Sequence, residues 1–392
     1  MRPGPTDRTV GPTTFTGPFI LNRTDFTGGG IDSLPIETRS IGNVAFDQRI
    51  RDLVMDYGCE GACQLVQEMI VTALKIGRDD LSVADLKLFN RALKELRYAA
   101  RVFGRYTERR KVAVFGSART PPSAPESAVA REFGRRMCEE GYMMITGGGD
   151  GIMGAAQEGA GREESFGLNI RLPFEQRANE VIHGDPKLIN FNYFFTRKLN
   201  FVKETHAIAL LPGGFGTLDE GFEVLTLMQT GKGRIFPIVL LDKPDGTYWV
   251  TILEFLKDHL LKQGLVSPED FNFFYLARDV EDAVAHIGHF YKNFVSYRWV
   301  RRQLVVRLQE ALTPEGIADL DRRFGHLLIS GGFEITCALP EEVNQPEIAH
   351  LPRLLFTPHR RHFGELRALI DAINDAPTVP GEPAEAVPGA GV

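Results

Sequence analysis

The chain has 392 residues, room for roughly two to three domains, and its 43% hydrophobic and 24% charged residues supply the core and surface of an ordinary folded protein. A net charge of −6 and a pI near 5.9 argue against a nucleic-acid polymer as partner, because clustered Lys and Arg dominate that contact. A single small phosphate stays open, since backbone donors bind one whatever the global charge.

Along the chain, no apolar run approaches the roughly 20 residues a bilayer crossing needs. Met1 to Thr16 has no apolar signal core, so the expected compartment is the cytoplasm and no membrane is involved. The four cysteines (Cys59, Cys63, Cys138 and Cys337) show neither CxxC nor zinc-finger spacing. They are expected to be buried or half-buried free thiols, and no His/Cys/Asp spacing calls for a metal or another cofactor.

Residues 1–40, rich in Gly, Thr and Pro, read as a flexible arm. Residues 41–107 read as a helical extension: Leu53 and Val54, then Leu65, Met69, Ile70 and Leu74, then Leu86, Phe89, Leu93 and Leu96 recur mostly at three and four. Ser82 is placed to cap the last helix, with Asp85 three residues on.

Residues 108–295 change character. Apolar runs at Lys111–Phe115, Tyr142–Thr146, Phe166–Leu172, Ala207–Leu211, Phe236–Leu241 and Phe273–Leu276 predict strands. Between and after them, helices are predicted over Ala124–Gly141, Ile152–Gly161, Thr196–Glu204, Thr217–Thr230, Tyr248–Gln263 and Val280–Lys292. Alternation of this kind predicts a Rossmann-like α/β fold, a parallel sheet with helices on both faces. Beyond it, residues 296–375 read as a small α+β appendage with an amphipathic helix over Trp299–Leu312, strands within 327–338 and 353–357, and a helix over Phe363–Asn374. The Pro/Ala/Gly/Val tail, 376–392, reads as disordered.

Three strand ends carry glycine: Gly116-Ser117-Ala118, Gly147-Gly148-Gly149-Asp150-Gly151 and Gly213-Gly214-Phe215-Gly216-Thr217. Glycine lets backbone N–H groups approach a ligand. Each turn leads into a helix N-terminus, which presents unpaired N–H groups and positive dipole to an anion. Ligands of parallel α/β sheets bind at these strand ends. Neither GxGxxG nor GxxxxGK[ST] fits the first turn, which disfavours NAD and triphosphates.

Pro212-Gly213-Gly214-Phe215-Gly216-Thr217-Leu218-Asp219-Glu220 resembles the PGGxGTxxE signature of the Lonely-Guy (LOG) family, phosphoribohydrolases that activate cytokinins and bacterial relatives acting on AMP-like nucleotides. Phe194-Phe195-Thr196-Arg197-Lys198 resembles that family's Arg-Lys element, and the Gly116-Ser117 turn and the Gly147 to Ala156 stretch match as well. The resemblance covers roughly residues 108–292 and implies hydrolysis of the N-glycosidic bond of a nucleoside 5′-monophosphate by at least a homodimer. The older label for such sequences, lysine decarboxylase, would require a Schiff-base lysine with an acidic partner for the pyridine nitrogen, and no such constellation is evident.

The resemblance assigns catalysis to Arg197 and Glu220. The chemistry agrees, because a carboxylate beside C1′ stabilises an oxocarbenium-like ribose and orients water. Arg197, always charged, is a clamp rather than an acid. Lys198 would add positive charge or touch the base edge. Gly116, Ser117, Gly148, Gly149, Gly213, Gly214, Gly216 and Thr217 would form the phosphate cradle, and the family pattern adds Thr226. Asn179 and Glu180 are secondary candidates for base or ribose contact, and Glu223 ranks below Glu220. Asp219 reads as a solvated first-turn acid, Arg119 as either a phosphate contact or a surface residue, His206 as structural, and His359 to His362 as a solvated basic cluster. Gly154 stands where many relatives carry a carboxylate. The alternative function is a non-catalytic carrier or sensor of a nucleotide or molybdenum cofactor, which would need the glycine turns but no carboxylate at C1′.

Overall fold

The computed structural model describes residues 40–59, 62–172, 177–343 and 345–379. The arm expected over 1–40 lies almost wholly outside them. Three helices come first: α1 (Val44–Asp56), α2 (Cys63–Arg78) and α3 (Val83–Phe103). Ser82 caps α3, its side chain accepting from the Asp85 N–H, as the sequence pattern predicts.

The α/β unit follows: β1 (Lys111–Phe115), α4 (Pro125–Glu139), β2 (Met143–Thr146), α5 (Ile152–Ala160), β3 (Ser165–Ile170), β4 (Leu188–Phe191), α6 (Phe194–Glu204), β5 (Ala207–Leu210), α7 (Phe215–Gln229), β6 (Ile238–Leu240), α8 (Tyr248–Phe255, continued by a π-helical turn Leu256–Leu261), β7 (Phe274–Leu276) and α9 (Val280–Phe290). The seven strands are all parallel, in the order β4-β3-β2-β1-β5-β6-β7. The chain runs from β1 toward one edge, then crosses back to β5 and builds toward the other. The topological switch point therefore lies between β1 and β5.

Strand periodicity explains the layers. Val112 and Val114 point into one cluster with Ala130 and Phe133 of α4, Ala155 of α5 and Ile287 of α9. Ala113 and Phe115 point into the other, with Phe103 of α3, Phe201 of α6 and Met228 of α7. Phe103 is fully buried and stacks on Phe166 of β3 at 4.6 Å. Burial of a phenylalanine contributes roughly 1.5–3 kcal/mol, which fastens the end of the helical extension to the sheet.

The fourth strand, β4, is absent from the sequence expectation. Leu188–Phe191 is an edge strand broken by the exposed Asn190, so it lacks the continuous apolar run that marks the other strands. The helix expected over Trp299–Leu312 is a correction. These residues form the end of β8 (Phe294–Val300), β9 (Gln303–Leu308) and β10 (Ala311–Leu312), with β8 and β9 joined through Arg301-Arg302. Arg301 takes φ 55°, the left-handed turn conformation that reverses the chain. The paired arginines mimic the polar stripe of a helix, but β-branched Val300, Val305 and Val306 favour the strand.

Next come α10 (Pro314–Phe324), not anticipated from sequence, then β11 (Leu328–Thr336), β12 (Arg353–Pro358), α11 (Phe363–Asp375) and β13 (Thr378–Val379). Strands order β11-β12-β9-β8 in an antiparallel sheet. Its Leu304, Val306 and Phe356, with Leu369 and Ile373 of α11, join the same hydrophobic cluster as α6 and α7. Of the tail expected to be disordered from Ala376, Thr378–Val379 pair with β10, and 380–392 lie outside the described residues. Among the described residues no helix is long and apolar enough to cross a membrane. Cys59, Cys63 and Cys138 are half-buried free thiols as expected, whereas Cys337 is exposed.

Candidate active site

The three glycine turns leave the carboxyl ends of β2, β1 and β5, adjacent strands at the switch point. They are stitched to one another. Ser117 N–H donates to Pro212 O at 3.1 Å, and Ile152 N–H donates to Ser117 O at 3.0 Å. Gly151 shows why glycine is required: it takes φ +65°, and a Cβ there would meet Ser117 O at 2.3 Å. The Tyr248 hydroxyl donates to Gly213 O at 2.6 Å and holds the third turn from α8. No side chain caps α7 at Gly214 or α5 at Gly151, so these helix ends keep their character as anion sites. Gly214 and Gly216 are exposed, while Thr217 is buried with its hydroxyl turned back toward Gly213.

Helix α6 brings Arg197 and Lys198 to this floor. Arg197 Nε donates to Leu168 O of β3 at 2.8 Å, and its guanidinium lies over the Phe201 ring at 5.1 Å. A side chain at Gly147 would collide with its Nη2. Glu220, one turn into α7, is 5% exposed. Its two oxygens stand 3.6 Å from Arg197 Nη1 and 3.6 Å from Lys198 Nζ. Both separations exceed hydrogen-bond length, so the pairing is ionic and the carboxylate lone pairs stay available. Burial raises the Glu220 carboxyl above its ordinary value, more than Arg197 and Lys198 lower it. Burial lowers the Arg197 guanidinium below its usual value, yet it remains charged.

Lys198 also binds Asp219 at 2.8 Å and Glu223 at 2.7 Å. Burial pulls its ammonium down, but those two bonds and the Glu220 charge outweigh it and hold the pKa above the ordinary value. Asp219, expected to be a merely solvated acid, and Glu223 thus anchor a site cation.

Other expected contacts lie differently. Asn179 is buried: its amide donates to Gly149 O and Gln157 Oε1, and its oxygen accepts from Val181 and Ile182 N–H. It braces the triple-glycine turn, with Gly154 packed beside it. Glu180 is exposed and pairs with Arg177 at 3.3 Å. Thr226 is exposed, two turns further along α7, its hydroxyl donating to Phe222 O. Arg119 is exposed, its N–H donating to Ser117 Oγ. His206 is buried and accepts from Lys111 N–H through Nδ1, and burial holds its pKa well below the ordinary value.

One residue escapes sequence reading altogether. Glu95 of α3 is 6% exposed and accepts from Asn192 N–H at 3.0 Å, Asn192 Nδ2 at 2.6 Å and Thr196 Oγ1 at 2.6 Å. It grips the first turn of α6, next to Arg197. A carboxylate inside an otherwise apolar helix stripe is the only signal that could have found it.

Parts of the chain are similar to known proteins. Residues 153–287 match a family model described as "Possible lysine decarboxylase". The chain is 32% identical over 166 residues to a probable cytokinin riboside 5′-monophosphate phosphoribohydrolase of Oryza sativa subsp. japonica, covering 41% of this chain and 63% of that protein. It is 27% identical over 190 residues to a cytokinin riboside 5′-monophosphate phosphoribohydrolase of Arabidopsis thaliana (47% and 84% covered) and 28% identical over 182 residues to one of Rhodococcoides fascians (45% and 89% covered). Among solved structures, the Moco carrier protein of Chlamydomonas reinhardtii aligns at 21% identity and TM-score 0.30, covering 46% of this chain and 95% of that one. The molybdenum cofactor binding protein of Rippkaea orientalis aligns at 22% and TM-score 0.30, with the same shares covered. Motifs, family model and curated relatives point the same way: the α/β unit of this chain is similar to the LOG, or Lonely-Guy, phosphoribohydrolases.

Proposed function

We propose that the chain hydrolyses the N-glycosidic bond of a nucleoside 5′-monophosphate of the AMP or cytokinin riboside monophosphate type, releasing free base and ribose 5-phosphate. The observation that carries this reading is Glu220, buried and raised in pKa beside Arg197 and Lys198 on a floor of three linked glycine turns. A bare phosphate or cofactor cradle has no need of such a carboxylate. The names of the curated relatives support the same chemistry.

The 5′-phosphate takes the N–H groups of Gly116 and of Gly213 to Gly216 and the Ser117 hydroxyl, with the dipole of α7 behind them. Glu220 faces C1′ and the ribose hydroxyls. As the C1′–N bond breaks, the carboxylate stabilises the positive ribose and orients a water molecule. The water oxygen bonds to C1′ and keeps one proton as the new hydroxyl, and its other proton ends on the departing base nitrogen. Arg197 holds Glu220 and the sugar–phosphate in register. The working unit in this reading is a homodimer or larger homo-oligomer, for which Phe194, Phe195 and Leu199 of α6 and Leu86, Phe89 and Leu93 of α3 offer exposed apolar surface. Light scattering on the purified chain checks that assembly.

The test of function is a panel of nucleoside monophosphates incubated with the full chain, with base and ribose 5-phosphate resolved by chromatography. Release of both in equal amounts supports the reading. Tight nucleotide binding with no release of base overturns it in favour of a carrier or sensor.

A further inference from the structure

Away from this site, three elements meet at a cluster that chain spacing conceals. The turn Pro268–Phe273 carries Glu269, and the start of α11 carries His362 and Glu365. One ligand atom from each lies within 4.8 Å of the others, the one such group of three or more among the described residues. His362 Nδ1 stands 4.0 Å from Glu269 Oε1 and 3.7 Å from Glu365 Oε1. The third element, the short helix after α10, brings His326, whose Nε2 meets the other oxygen of Glu365 at 2.5 Å.

The approach is built into the backbone. At Gly364 a Cβ would lie 2.2 Å from Glu269 O, so only glycine lets α11 come this close to the turn. Asn272 Nδ2 donates to Gly364 O at 3.2 Å and locks the contact. Local capping does not account for Glu269, because Asp270 is the carboxylate that forms the capping box with Ser267. Two carboxylates this close repel one another unless a cation stands between them.

We infer that Glu269, His362 and Glu365 form a divalent-cation site that takes zinc or a similar first-row ion and clasps α11 to the α/β unit. One imidazole with two carboxylates suits such ions. Tetrahedral zinc with ligands at 2.0–2.2 Å sets its donors about 3.4 Å apart, within side-chain adjustment of the spacings here. His326 orients Glu365 through its second oxygen, as outer partners of metal ligands do. Phe363, between the two α11 ligands, packs against Gly231 just beyond the end of α7, so the clasp braces the helix that carries Glu220.

The full chain, freed of metal, is titrated with Zn2+ by calorimetry and melted with and without it. One zinc per chain and a Tm raised by about 4 °C at saturation are expected. Both effects are lost in His362→Ala and in Glu269→Gln. The metal-free melting of these variants stays close to that of the parent, since the side chains are at the surface. Independently of any variant, zinc slows diethylpyrocarbonate modification of His362 in the parent chain several-fold and leaves His359 reactive. Absence of zinc uptake, uptake and stabilisation unchanged in both variants, or equal modification of His362 with and without zinc overturns the inference.

Discussion

Glu342 and Glu220 are each buried between two cations, and the molecule treats them in opposite ways. In the C-terminal sheet, Glu342 sits between Arg307 and Arg353, all three side chains fully buried. It accepts from Arg307 at 2.9 and 2.7 Å and from Arg353 at 2.9 Å, and Gln345 takes a further Arg307 donor. Although burial raises the Glu342 carboxyl, the bonds from Arg353 and Arg307 outweigh that and hold it below its ordinary value. At the strand ends, Glu220 has the same company but no bond as short: 3.6 Å to each cation. There burial wins and the carboxyl is pushed up. A carboxylate whose lone pairs are consumed by its neighbours is a brace. One held at arm's length by charge alone is available to a substrate.

Substitutions can break that contrast, and the largest effect belongs to the site. Glu220→Gln should cut base release by about 10²- to 10⁴-fold and raise Tm at neutral pH. The sign follows from the raised carboxyl: the fold favours the protonated form, so ionisation above the folded pKa costs stability, which a neutral amide avoids. The Tm gain should vanish at pH below the ordinary glutamate value of 4.5. A Glu220→Gln protein that melts lower at pH 8 would overturn the assignment of strain to this carboxylate.

Glu342→Gln should do the reverse, costing about 3–5 kcal/mol of stability in denaturant titration, because two buried guanidinium groups lose their counter-charge. Base release per folded molecule should be unchanged. Here the folded pKa is depressed, so the stabilisation is complete above the unfolded value of 4.5 and is lost as pH falls through the folded one.

Glu95→Gln should be intermediate. Losing a charged acceptor for Asn192 and Thr196 loosens the first turn of α6 and lowers kcat about tenfold, with a stability cost of about 1–3 kcal/mol. A purely structural Glu95 would leave kcat per folded molecule untouched. Asp219→Asn should be smallest, less than about twofold in kcat, since its side chain is 61% exposed and surface pairs contribute little.

The α/β unit was legible because its signals are local. Apolar β-branched runs, glycines at the strand ends and the contiguous PGG motif all lie within a few residues of one another, so the fold and the Arg197–Glu220 pair can be read from the chain. What stayed hidden depends on distance. Glu95 reaches α6 across 97 and 101 residues. Lys198 gains its acidic anchors only when α6 and α7 align side by side. The Trp299–Leu312 segment reads as a helix because its paired arginines mimic a polar helix stripe, while its β-branched valines and the left-handed reversal at Arg301 set the strands. Buried arginines such as Arg307 and Arg353 look like surface residues until Glu342 is brought to them.

The central claim, that Glu220 performs chemistry rather than holding structure, is tested most directly by one paired measurement on the full chain. Nucleotide binding by calorimetry and single-turnover base release are followed in the parent and in Glu220→Gln with the best substrate of the panel. The account predicts binding within a few-fold of the parent and release slowed by at least about 10²-fold. Release at the parental rate from a folded Glu220→Gln chain would contradict it.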